Sequence, residues 1–103
     1  MALKAAFIFL SPETDPNQHN AWIKTPQVEL LSVAAENYEK AAKIAEDLLK
    51  DGIQAIELCG GFGFAGVARI VAAVKGKIPV GVVRFDTHPG LGHKSGDAFF
   101  GEK

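Results

Sequence analysis

The sequence predicts a single α/β domain: a mostly parallel four-stranded sheet with flanking helices, Rossmann- or flavodoxin-like, in strand order 2-1-3-4. Three observations carry that prediction. Four short runs, Lys4 to Leu10, Val28 to Ala34, Ile53 to Cys59 and Val80 to Phe85, are apolar on both faces, the pattern of strands covered on two sides. The second and third intervals between the runs are each about a helix long, which fits parallel pairing through right-handed crossovers. The third run opens into a glycine-rich loop, Gly60 to Gly66, ahead of a helical pattern, as at the head of a βαβ unit.

Taken in order, the first run ends at Ser11-Pro12, and Asp15-Pro16-Asn17-Gln18 then supplies an N-cap, a proline at the first helical position and a glutamine at the capping-box position. A short helix is expected from there to about Ile23, stopped by Thr25-Pro26, with Trp22 and Ile23 fixing it to the sheet or to another subunit. A plain loop in its place would let the first two strands pair antiparallel and make the sheet mixed. After the second run, Asn37 is an N-cap for a helix whose Tyr38, Ala41, Ala42, Ala45, Leu48 and Leu49 share one side, and Gly52 closes it. After the third, Val67, Ile70, Val71 and Val74 form an apolar stripe that ends at Gly76 and Pro79. Beyond the fourth strand periodicity stops, and residues 87–103 read as an irregular tail of the one domain spanning 1–103, anchored by Phe99 and Phe100.

Composition narrows the function classes. Eleven basic residues against twelve acidic ones lack the basic excess that phosphate backbones require, so nucleic acid is not an expected partner. The run Ala5 to Leu10 is too short to span a bilayer, so no membrane is expected. Cys59 is the single cysteine, which rules out an internal disulfide and fits a reducing, cytoplasmic setting. A chain of this size gains from subunit contact, and a homo-oligomer is expected.

The candidate chemistry gathers at the C-terminal ends of the strands. Gly61, Gly63 and Gly66 fill G-x-G-x-x-G, and Asp86 follows twenty residues beyond the last, where a dinucleotide site places its ribose-binding acid. Bulky Phe62 and Phe64 inside the loop, and too little chain for a second mononucleotide half, turn the expectation from NAD to a smaller anion, with no cofactor assigned. Backbone N–H groups of Gly60, Gly61 and Gly63 would hold a phosphate or carboxylate at the helix N-terminus, with Phe62 walling an apolar pocket. Cys59 precedes that helix, where a thiolate would be a nucleophile, and His88 with Asp86 would be a general base and its orienting acid. A metal at His88 with His93 or His19 matches no strong ligand spacing, and none is assigned. Arg84 could hold the ligand's anionic group, with Glu57 and Glu29 as partners in a buried ion-pair network. In the 2-1-3-4 order Ser11 faces Gly60 to Gly63 across the switch point between the first and third strands.

Over the whole chain, KAAFIFL, QVELLSV, IELCGGFG and VGVVRFDTHPGLG resemble a domain-of-unknown-function family of small bacterial and archaeal α/β proteins, with the Cys-Gly-Gly-Phe-Gly string as the most specific part. The resemblance implies a compact cytoplasmic fold and carries no catalytic assignment. Two functions are therefore expected in competition. One is binding of a small anionic metabolite at the glycine loop, with catalysis through Cys59 and His88. The other is a non-catalytic oligomerising module whose loop is structural. An open pocket favours the first, and a loop filled by Phe62, Phe64 or the tail favours the second.

Overall fold

In the computed structural model, which describes residues 2–83 and 87–100, the first apolar run becomes β1 (Leu3–Leu10), the middle strand of a five-stranded sheet. The others are β2 (Asn20–Lys24), β3 (Val28–Ala35), β4 (Ala55–Leu58) and β5 (Val80–Val82). Helix α1 (Tyr38–Lys50) joins β3 to β4, and α2 (Phe64–Ala73) joins β4 to β5. A 3₁₀ turn at Pro89–Leu91 and a single-turn helix α3 (Asp97–Phe100) follow. Arg84 and Asp86 lie outside the described residues. Among those described, no helix is long and apolar enough to cross a membrane.

The sheet is mixed and has five strands rather than four. Its order is β2-β3-β1-β4-β5 in place of 2-1-3-4, with β3, β1, β4 and β5 parallel and β2 antiparallel to β3 at one edge. The added strand lies where a short helix is predicted. Asp15 does start a turn: its carbonyl accepts the N–H groups of Gln18 and His19, and its carboxylate accepts that of Asn17 at 2.9 Å. The turn ends there because Ala21, Trp22 and Ile23 pair with Ser32, Leu31 and Leu30 of β3. Thr25 closes the hairpin, its N–H donating to the Val28 carbonyl at 2.8 Å and its hydroxyl oxygen accepting the Val28 N–H at 3.0 Å. Tryptophan and isoleucine suit a pleated surface, and a neighbouring strand outweighs a local capping signal.

Both long helices cover the same face, where flanking on two sides is predicted. Alternate residues of the sheet, Ala6 and Ile8, Leu31 and Val33, Ile56 and Leu58, pack with Tyr38, Ala41, Ala45 and Leu48 of α1, Ile70 of α2 and the adjoining Val74. The cause is the direction of travel. The chain crosses β1 on its way from β3 to β4 and continues the same way to β5, and right-handed crossovers in one direction stay on one side. A doubly wound sheet reverses direction after its first strand through a helix; here that connection is the β2 hairpin, and among the described residues no helix reaches the second face.

Local signals place the helices well. Asn37 caps α1, its side-chain oxygen accepting the Lys40 N–H at 2.8 Å, and three alanines let the helix approach the sheet closely. Gly52, with φ of 87°, ends the turn after α1 in a conformation that side-chain-bearing residues rarely adopt. In the α2 stripe Ile70 is buried, as is Val74 just beyond the helix, while Val71 is exposed. Of the predicted charge network, Arg84 lies outside the described residues; Glu57 is exposed on the uncovered face opposite Gly81, and Glu29 sits on the helix-covered side of β3, so these two carboxylates do not share a face.

Candidate functional site

The chain leaves β1 toward β3 and leaves β4 toward β5, so the two neighbouring strands part at their C-terminal ends and open a crevice. Ser11, held by its N–H on the Ala35 carbonyl at 2.9 Å, forms one lip, and Cys59 with Gly61 forms the other. The tail supplies the third side through His88, Leu91, Phe99 and Phe100, enclosing a volume of about 490 Å³. Four predicted site residues from three distant parts of the chain, Ser11, Cys59 with Gly61, and His88, thus line one cavity.

Cys59 and His88 are oriented by backbone N–H groups. The Cys59 sulfur accepts the N–H groups of Leu10 and Gly61, both at 3.4 Å, which fixes it between β1 and the loop. His88 Nδ1 accepts the Gly90 N–H at 2.9 Å, which selects the tautomer carrying its proton on Nε2. Apolar wall comes from Leu10, Leu91, Phe99 and Phe100. Among the described residues no three His, Cys, Asp or Glu side chains converge to hold a metal ion, and His19 instead accepts the Asp15 N–H through Nδ1.

The glycine loop itself is turned to another use. Phe62 is buried and stacks on Tyr38 with ring centroids 5.5 Å apart, whereas Phe64 is 74% exposed. The Gly63 N–H donates to the Tyr38 hydroxyl at 2.9 Å, that hydroxyl donates to Asp97 Oδ1 at 2.9 Å, and the Ala65 N–H donates to Asp97 Oδ2 at 3.2 Å. A carboxylate from the tail therefore occupies the N-terminal end of α2, the position expected for a bound anion. Gly66 lies against the Tyr38 ring, and Gly96 lies so close to the Gly61 carbonyl that no side chain fits between them. The three fingerprint glycines are explained by close packing around Cys59, Tyr38 and Asp97.

Tyr38, Gly96 and Asp97 are the site residues that sequence reasoning misses. Tyr38 carries a usable signal: it is the single tyrosine, it falls on the apolar side of α1, and a buried hydroxyl needs partners. Burial pushes that hydroxyl well above the usual tyrosine range; the Gly63 N–H opposes the shift and the Asp97 carboxylate adds to it. Because the unfolded tyrosine ionises near pH 10 and the folded one does not, this stability is complete below about pH 10 and declines as pH rises beyond it. Wild type should lose up to about 1.4 kcal/mol per pH unit more than Tyr38→Phe above that point. Thermal unfolding of both proteins between pH 9 and 12 measures the difference, and parallel curves would contradict it.

A family model described as a family of unknown function, DUF6506, matches residues 3–98. No curated protein and no solved structure matches the chain.

Proposed function

The chain belongs to the DUF6506 family of unknown function, so its activity has to be read from its own residues, and we propose that it binds a small carboxylated or phosphorylated metabolite in the crevice between β1 and β4. The observation that supports this reading most is the convergence of Ser11, Cys59, Gly61 and His88 on a cavity of about 490 Å³, within the size range of small-ligand sites. Tyr38 and Asp97 engage the amides of Gly63 and Ala65, so the ligand's anionic end lies beside the loop, toward Ser11 and His88, and its apolar part lies against Leu91 and Phe99. His88, its Nδ1 engaged by the Gly90 N–H, lines the wall beside that anionic end. Cys59 is the one thiol within reach of a bound molecule.

Thermal-shift measurements with inorganic phosphate, succinate, pyruvate and AMP test the reading. A ligand at ten times its Kd adds about 1.4 kcal/mol, which for a domain of this size raises Tm by several degrees. The same ligand should slow alkylation of Cys59, and Ser11→Trp, which fills the crevice, should abolish both effects while the protein stays folded. A shift that survives Ser11→Trp, or no shift with any of the four, removes the crevice as the site.

A further inference from the structure

We propose that two copies of this chain pack face to face through the uncovered side of the sheet, forming a symmetric dimer independent of the crevice. That side presents Leu3, Phe7 and Phe9 of β1, Val28, Leu30 and Ser32 of β3, and Ile23 of β2, while Ala5 and Ala34 on the same side are buried. Ile23 is 59% exposed at one edge, Leu3 and Val28 are exposed on the neighbouring strands, and the Phe7 and Phe9 rings lie 6.4 Å apart along the middle of the face. Continuous apolar surface on this scale marks an interface rather than a solvated face.

Area and charge select a second copy as the occupant. Strands about 4.8 Å apart with a rise near 3.3 Å per residue give five strands a footprint on the order of 500 Å². Corrugated by side chains, it approaches the roughly 600–800 Å² per partner at the lower end of stable interfaces. Glu57 is the one charged side chain of the described strands on this face, and it shares a row with Ser32: Phe7 pairs with Ser32 on one side and with Glu57 on the other. A two-fold axis running along β1 between the copies exchanges those flanks and sets each Glu57 against the partner's Ser32. Aligned packing at about −30° keeps residues one strand from the axis within reach, so the carboxylate receives a hydroxyl donor in place of water.

Sedimentation equilibrium of the full chain between about 1 and 100 µM reads the assembly directly. Wild type should sediment at twice the 10.9 kDa chain mass. Ser32→Glu, which sets carboxylate against carboxylate, should raise the dimer Kd by at least about a hundredfold, while Ser32→Lys should preserve the dimer. Ser32 is half-exposed, and circular dichroism of each variant verifies that the monomer fold is kept. A monomeric wild type at the highest concentration, or a folded Ser32→Glu chain that remains dimeric, overturns the proposal. Loss of the dimer in both variants retains the face and overturns the pairing of Ser32 with Glu57.

Discussion

Tyr38→Ala is expected to cost about 4–8 kcal/mol of folding stability, the largest loss of any single truncation at the site. The ring is 1% exposed, stacked on Phe62 at 5.5 Å, tilted against Phe100 at 5.9 Å and roofed by Gly66. Emptying so enclosed a volume costs about 3–5 kcal/mol for an aromatic side chain. Loss of the hydroxyl strands the Gly63 N–H and one oxygen of Asp97, adding about 1–3 kcal/mol. Domains have only about 5–15 kcal/mol to lose, so the variant should be substantially unfolded at physiological temperature. Urea titration of wild type, Tyr38→Phe and Tyr38→Ala separates the parts. Tyr38→Phe should lose the hydrogen-bond share alone, and equal losses in the two variants would show that the ring packing contributes nothing.

Gly96→Val should detach the tail while leaving the sheet and α1 intact. Any Cβ at this position falls onto the Gly61 carbonyl, and backbone cannot yield as the end of a flexible side chain can. The segment from Ser95 to Phe100 must lift, taking Asp97 from α2 and Phe100 from Tyr38. Loss of a carboxylate cap and of one half-buried aromatic ring together costs about 2–4 kcal/mol. The distinguishing readout is local: alkylation of Cys59 should accelerate at least severalfold, and protease should cut after residue 87 while the strand and α1 amides keep their hydrogen-exchange protection. Asp97→Asn keeps the shape and removes the charge, so it should lower stability by only about 0.5–1 kcal/mol and leave Cys59 shielded. Unchanged Cys59 reactivity in Gly96→Val would show that the tail does not guard the crevice.

Much of this arrangement is legible in the chain. Each of the four apolar runs holds a strand, Asn37 and Gly52 bracket α1, and the meeting of Ser11, Cys59 and Gly61 follows from parallel strands sharing one exit edge. One misreading accounts for the principal departures. The capping pattern at Asp15 to Gln18 is local and strong, but the pairing of Trp22 and Ile23 with β3 is decided by residues later in the chain. Reading a helix there also implies a crossover to the second sheet face, so the missing strand and the misplaced helix layer are one error. Asp97 lies beyond such reasoning for another cause: it is 59 residues from Tyr38, and only the path of an aperiodic tail brings them together. Glu57 and Glu29 both read as buried, but a face that no described helix covers leaves Glu57 exposed in the single chain, and strand alternation separates the two.

The carboxylate of Asp97 at the head of α2 changes what an anion in solution would report. A group tethered to the same chain acts at an effective concentration on the order of millimolar, so a free phosphate or carboxylate reaches those amides only by displacing it. Association at that helix is therefore inseparable from undocking of the last turn, and it would register as a loosened C-terminus before it registered as occupancy. A glycine loop that looks like a receptor in sequence behaves here as the seat of a clasp, and its strength sets how firmly the third wall of the neighbouring crevice is held shut.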